Sequence, residues 1–347
     1  MAREMGPEEE IARQEACKKN IEKYIESLGA KSGCKIDNLP DGRTEMTTKE
    51  GEKYYAETLK NPEDPRVEKS HDFLEKRYGE DEVDSLETTK TAIAGKVVGD
   101  EESADIPLRV TAIESLEGKF KGTAHYAVLE GLDEDIETGK GKSFLFDAYR
   151  EVAGGKKSED LELASLGHDL EQARLMAERE GKTLEAAVVE ADGEDASFYD
   201  KAGFKKCFIE TQDGKMTEVP YVQSVLADNW NKKTGLPKKG EKPVPEHLMM
   251  AQLDGRNEIT HEELLERVRA IMSYDSFQTE GYFKGDQKAF AQHQEILEAD
   301  LETLENFLAQ AKEGRVKLLS SEDLKALNLY KEQGLEIVEH TKADEER

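Results

Sequence analysis

At 347 residues the chain can bury a sizeable core and divide into two or three units. Hydrophobic and charged residues each make up 36%, and 49 Lys plus Arg against 77 Asp plus Glu leave a formal charge of −28. Such a surface repels phosphate backbones and anionic lipid, so neither nucleic acid nor membrane is expected as a partner, whereas a small cation would be attracted.

The opening "MAREMGPEEEIARQEACKKN" lacks the apolar centre of a signal peptide. No apolar run approaches the roughly 20 residues that span a bilayer. Cys17, Cys34 and Cys207 are scattered, with no CxxC and no His spacing suited to zinc. They read as reduced thiols of a cytoplasmic protein without a metal.

In chain order, residues 7–28 carry Ile11, Ile21, Tyr24, Ile25 and Leu28 on a helical period, with Pro7 at the start and Gly29 as the stop. "KSGCKIDNLPDGRTE" is a loop by composition. "GEKYYAETL" reads as a short strand, followed by helices over 66–78 and 83–98. "IPLRVTAIESLEG" and "KFKGTAHYAVLEG" then form a hairpin turning at Glu117-Gly118. "SFLFDAYREV" reads as a strand and "ASLGHDLEQARLMAEREGK" as a helix, with Leu166, Leu170, Ala173 and Ala177 on one stripe. "TLEAAVVEAD" is the next strand, and "DASFYDKAGFKKC" is a short helix closed by Gly203 that hands over to a further strand. "VPYVQSVLADNW" is extended, "NKKTGLPKKGEKPVPE" a loop and "HLMMAQLDG" a last strand. The remainder reads as helical: a helix opening on a Thr260/Glu263 capping box, a long helix over 286–312, and a short one ending at Gly334, after which the charged residues are expected to fray.

Hairpin, strand, helix, strand, helix, strand is an α/β order with a helix crossing between parallel neighbours. Several chemical motifs fail. "GKGKS" at 139–143 lacks the upstream glycine of a P-loop, and "DEDIETG" from Asp133 misplaces the glycine and the glutamate of a calcium loop. GxSxG and HExxH are absent. His125, His168 and His247 stand isolated and read as packing or surface residues.

The order and spacing around Tyr199-Asp200-Lys201-Ala202-Gly203-Phe204 resemble the GNAT superfamily of acyl-CoA-dependent N-acetyltransferases, whose corresponding helix ends in Tyr-x-x-x-Gly-Phe. The resemblance spans roughly residues 50–256. It implies a mixed, mostly antiparallel sheet with a central parallel strand pair and flanking helices, between a helical extension at 1–49 and a helical region at 257–347. It also implies acetyl-CoA as co-substrate, with Tyr199 as general acid for the leaving thiolate. The family's phosphate loop, Arg/Gln-x-x-Gly-x-Gly/Ala, aligns with Glu162-Leu163-Ala164-Ser165-Leu166-Gly167 here and assigns coenzyme binding to Ser165, Leu166, Gly167 and His168; Glu162 and Ser165 depart from the pattern. An alternative loop at Gly139-Lys140-Gly141 fits the strand order less well. Glu190 is the first choice as general base, ahead of Asp192, Asp147 and Glu151.

The expected function is transfer of acetyl to a primary amine of a small or lysine-bearing substrate. The alternative is an inactive binding or scaffold protein with a degenerate coenzyme loop. The stripe Phe290, Leu297, Leu301, Leu304 and Leu308 reads either as cover for the chain's own core or as a homodimer contact.

Overall fold

The computed structural model describes residues 7–79, 83–94, 108–130, 141–154, 156–193, 195–225, 229–276, 283, 285–329 and 337–338. The helices are α1 (Pro7–Ser32), α2 (Pro65–Tyr78), α3 (Leu86–Ile93), α4 (Lys156–Arg179), α5 (Asp195–Ala202), α6 (His261–Ser276), α7 (Gln287–Leu308) and α8 (Ser321–Leu329). The strands are β1 (Lys35–Asn38), β2 (Thr44–Thr47), β3 (Lys53–Leu59), β4 (Leu108–Ser115), β5 (Phe120–Glu130), β6 (Lys142–Val152) and β7 (Thr183–Ala191). They continue with β8 (Lys205–Glu210), β9 (Met216–Glu218), β10 (Tyr221–Gln223), β11 (Val244–Gln252), β12 (Glu258–Thr260), β13 (Arg315–Leu319) and β14 (Ile337–Val338).

These strands form one sheet in the order β1-β2-β3-β4-β5-β6-β7-β11-β8-β13-β12, with β10 on β11 and β9 joining β8 to β14. Among the described residues, pairing is parallel only between β6 and β7 and in the two-residue contact of β9 with β14. The mixed, mostly antiparallel sheet with a central parallel pair is therefore the architecture that the resemblance implies. A right-handed crossover is the usual way to join parallel neighbours, and α4 is the helix that links β6 to β7.

Strand alternation divides the centre into two layers. Phe144, Phe146, Ala186, Val188, Leu248 and Met250 pack with Leu264, Val268 and Ile271 of α6 and with Leu301, Leu304 and Leu308 of α7. Leu145, Ala187, Val189 and Met249 point the other way, into Ile21 and Leu28 of α1 and Leu163, Leu166, Leu170 and Ala173 of α4. Leu297, Leu301, Leu304 and Leu308 of the α7 stripe are thus buried within the chain, while Phe290 is half-buried.

Several expectations shift. The segment read as a loop holds the hairpin β1–β2, pairing Lys35 with Thr47 and Asn38 with Thr44; its polar composition hid two four-residue strands that continue the sheet edge. The C-terminal region is not wholly helical, because β13 pairs with β8 and β12 with β13. The first 49 residues and the last 91 both contribute strands to the central sheet, so neither is a purely helical appendage. The helix expected over 83–98 covers only Leu86–Ile93, and residues 95–98 lie outside the described residues, as does "DEDIETG".

The capping box is present: Thr260 N donates to Glu263 Oε2 at 2.9 Å and Glu263 N to Thr260 Oγ1 at 3.1 Å. No helix among the described residues is long and apolar enough to cross a membrane.

Candidate active site

Beyond Phe146 and Val188 the ladder between β6 and β7 stops, although β6 runs on to Val152 and β7 to Ala191. The two parallel strands part there and leave an open end in the centre of the sheet. In β6 a bulge sits at the same place. His125 pairs with Tyr149 and Tyr126 with Asp147, so Ala148 is left without a partner. Residues three apart on a regular strand face opposite sides, and one extra residue restores them to the same side. The bulge therefore turns Asp147 and Arg150 together towards α4.

They form the centre of a buried network. The Arg150 guanidinium donates to Asp147 Oδ1 at 2.9 Å and Oδ2 at 3.0 Å, to Asp169 Oδ2 at 2.6 Å and to Ser165 Oγ at 2.6 Å. Thr111 Oγ1 donates to Asp169 Oδ1 at 2.6 Å, and Tyr199 OH to Asp147 Oδ2 at 3.0 Å. Burial works against the Arg150 charge and the two aspartates overcome it. Both aspartate carboxyls are pushed upward by burial despite the guanidinium, since one cation serves two carboxylates. Burial, then Asp147, holds the Tyr199 phenol well above its ordinary value.

Tyr199 is placed by the motif that attracted the resemblance. Gly203 closes α5 at φ 109°, and the Gly203 and Phe204 amides both donate to Tyr199 O, at 3.0 and 2.8 Å. A left-handed residue there is the usual helix stop and favours glycine. Phe204, fully buried, then meets the Tyr199 ring edge-on with centroids 5.2 Å apart. α1 seals the joint, with Tyr24 OH donating to Ala202 O at 3.0 Å.

Glu190 lies near the end of β7, in step with Ala186 and Val188 and opposite Leu248, and so on the α6–α7 side of the sheet. Its carboxylate accepts from Tyr221 OH and, at 3.0 Å, from Gln223 Nε2, both on β10. Burial pushes the carboxyl up to about 7, against the pull of those two hydrogen bonds. Tyr199 packs with the α1–α4 layer, so the two expected catalytic groups stand on opposite faces of the sheet. Tyr221 and Gln223 were not singled out in the sequence; only the β10–β11 pairing carries them to Glu190.

The expected coenzyme residues need correction. α4 begins at Lys156, not at Gly167, so Ser165, Leu166, Gly167 and His168 occupy the middle of a helix whose amides are spent on its own carbonyls. All three side chains are fully buried. Ser165 donates to Glu162 O at 2.9 Å while receiving Arg150, and Leu166 belongs to the core. A Cβ on Gly167 would meet Ile36 Cδ1 at 3.2 Å and Ile25 Cγ2 at 3.4 Å, so the glycine admits α1 and β1. His168 bridges Thr44 Oγ1 at 2.7 Å and Thr58 Oγ1 at 3.1 Å, and burial lowers it to about 3. None can reach a pyrophosphate. The strand-to-helix joint lies instead between Val152 and Lys156 and contains Gly154 at φ 138°. Over it lies the last turn of α2: Tyr78 OH donates to Arg150 O at 3.0 Å, and Arg77 pairs with Glu151 at 3.3 Å and Asp195 at 3.6 Å.

On α2, His71, Asp72 and Glu75 bring three donor atoms within 4.8 Å of one another, with Asp72 exposed, an arrangement common without an ion.

No family model matches the chain, and no curated protein matches it. Solved structures do. The chain is similar to the histone acetyltransferase HPA2 and related acetyltransferase from Corynebacterium glutamicum, at 14% identity over 56% of this chain and 94% of that one, with a TM-score of 0.29. It is similar to the spermidine N-acetyltransferase from Vibrio cholerae in complex with CoA and spermine, at 11% identity over 58% and 95%, with a TM-score of 0.33. Tetrahymena GCN5 aligns at 12% identity over 57% and 95%, with a TM-score of 0.27.

Proposed function

We propose that the protein is an acyl-CoA-dependent N-acetyltransferase that acts on a primary amine by direct attack. The observation that carries this reading is Glu190: a buried carboxyl at about 7, oriented by Tyr221 and Gln223, at the end of β7 where the parallel pair parts. A base poised near neutrality suits an ammonium substrate, which must lose a proton before it attacks. The open edge of β6 beyond Phe146 offers backbone groups to an extended, amide-bearing chain, in the manner of an added strand. Gly154 at the head of α4 lets the backbone approach an anion closely, and the sequence places Lys156 and Lys157 just after it.

In this reading acetyl-CoA supplies the thioester carbonyl. Glu190 takes one proton from the ammonium. The amine nitrogen then bonds to the carbonyl carbon as the carbon–sulfur bond breaks; the departing thiolate takes the Tyr199 hydroxyl proton, the acylated nitrogen gives up its second proton to restore that hydroxyl, and Glu190 releases its own to water. Tyr199 has to turn from Asp147 to do so, which makes Asp147 its positioning residue. Access from both faces through the parted strands brings amine and thioester together from opposite sides. The formal charge of −28 favours a polyamine, another small polycation or a lysine-bearing peptide. Three buried, unbridged cysteines support a cytoplasmic setting.

A second reading has one observation behind it. The residues aligned with the coenzyme loop are buried in α4, and Arg150 is committed to two aspartates; a binding or scaffold protein without catalysis fits that. Calorimetric titration with acetyl-CoA, followed by a panel of amines assayed for thiol release, separates the two. Micromolar binding with amine-dependent thiol release is expected. No heat at millimolar coenzyme would leave the binding protein.

A further inference from the structure

We propose that Lys206 is a self-acylation site whose ammonium proton is drawn off by the Glu218–His247 pair. Three strands bring these groups together on one face: Lys206 from β8, Glu218 from β9 and His247 from β11. The Glu218 side chain is 3% exposed, and its Oε1 lies 2.7 Å from His247 Nδ1. A buried carboxylate at that distance accepts a hydrogen bond from Nδ1–H and so fixes the ring tautomer. Nε2 is then an acceptor, and Lys206 Nζ donates to it at 3.3 Å. The same Glu218 oxygen is 3.8 Å from Lys206 Nζ.

That triangle makes the proton transfer nearly isocoulombic. Before it, the carboxylate faces a lysine ammonium and a neutral imidazole; after it, a neutral amine and an imidazolium. The positive charge moves from one side of the carboxylate to the other and gains the closer contact. The pair thus performs the general-base role, with the carboxylate stabilising the imidazolium that forms.

The reaction balances as follows. One Nζ proton passes to His247 Nε2. The free amine attacks the carbonyl carbon of an acyl donor, and a C–N bond forms. The bond from that carbon to sulfur or phosphate oxygen breaks, and the leaving group departs with the electron pair. A second proton from the acylated nitrogen goes to the leaving group, and His247 returns its own to water. The product lysine amide is neutral, so the ammonium no longer faces Glu218.

Position favours the same donor as the proposed activity. His247 sits directly across from Ala191, the neighbour of Glu190 at the open end of β7. The physiological acyl donor therefore rests on the acetyltransferase reading; the reactivity of Lys206 does not.

The Lys206 and His247 side chains are 18% and 17% exposed, against 74% for Lys35. Partial burial alone would make Lys206 slower than Lys35, so a faster reaction is diagnostic. The full chain is incubated without amine, separately with acetyl-CoA and with acetyl phosphate, and acetylation of each lysine is followed by peptide mass spectrometry. Lys206 is expected to react at least about tenfold faster than Lys35 with both donors, the size of a modest general-base effect. His247→Gln and Glu218→Gln are each expected to remove that advantage while the Lys35 rate, measured in the same digest, stays unchanged. Lys206 reacting no faster than Lys35 with either donor overturns the proposal, as does an advantage that survives His247→Gln. Selective reaction with acetyl phosphate but none with acetyl-CoA upholds Lys206 and rules out acetyl-CoA as its donor.

Discussion

Glu190 and Tyr199 stand on opposite faces of the sheet at one end of β7, the first held by Tyr221 and Gln223 and the second by Asp147. Between them lie the parted ends of β6 and β7. The proposed acid and base are thus reached from different sides and lie in separate surroundings.

Glu190→Gln removes the proposed base. The change is expected to lower kcat on the order of a hundredfold and to erase the limb near pH 7 expected in kcat/KM from a carboxyl that burial raises to about 7. Tyr221→Phe removes a hydrogen bond that favours the ionised form, so that limb is expected to move upward. Steady-state pH profiles read both. An unchanged limb in Glu190→Gln would assign the base elsewhere.

Arg150→Leu leaves Asp147 and Asp169 buried without their cation, a loss of about 3–5 kcal/mol for a broken buried pair. Denaturant titration of Arg150→Leu is expected to show that loss. Adding Asp147→Asn and Asp169→Asn to the same chain is expected to recover part of it, because the uncompensated charge is then gone.

Gly167→Ala probes the misplaced loop. The new methyl meets only the ends of Ile36 and Ile25, and alanine gains about 1 kcal/mol of helix propensity over glycine. Stability is expected to change by less than about 1 kcal/mol in either direction, with acetyl-CoA affinity unaltered. Gly154→Val, at φ 138°, is expected to weaken binding if the strand-to-helix joint holds the pyrophosphate. Calorimetry on the two variants distinguishes the positions.

Stability is expected to fall with acid in two stages. His125 and His168 are lowered by burial from 6.5 to about 3 and His293 to about 4; each stays neutral in the fold while the unfolded chain takes up a proton below 6.5, so each loses stability as pH falls. Glu162 and Glu190, raised by burial from 4.5 to about 7, do the reverse: the fold holds their protons between 7 and 4.5 and gains stability as pH falls. Between 6.5 and 4.5 the three histidines outweigh these two carboxyls by one proton. Below 4.5 the two glutamates drop out and Glu263, held against its burial down to about 2 by Arg256, adds its own loss, while Asp147 and Asp169, raised by burial, oppose the decline down to 3.8. Denaturant midpoints measured from pH 7 to pH 3.5 are expected to decline gently and then steeply, with the break near 4.5.

The sequence by itself determined the elements whose evidence is local. Alternating apolar residues gave β4 to β7 and β11, a 3.6-residue stripe gave α4, α6 and α7, and Tyr199-x-x-x-Gly203-Phe204 marked a helix stop that proved to be built from those three residues. It also marked Glu190 and Asp147 as carboxylates on the central strands. Tertiary structure decided the rest. The start of α4 was hidden because Gly167 looks like a loop residue until α1 and β1 are seen crossing it. The partnership of Asp147 with Arg150 depends on the bulge at Ala148, and a bulge is a property of two paired strands rather than of one. Tyr221, Gln223 and the Lys206–His247–Glu218 triangle arise from β8, β9, β10 and β11 lying side by side across some forty residues of chain. Periodicity is written within a segment, whereas register, bulges and buried pairings are set between segments, by whichever packing satisfies the most buried polar groups at once.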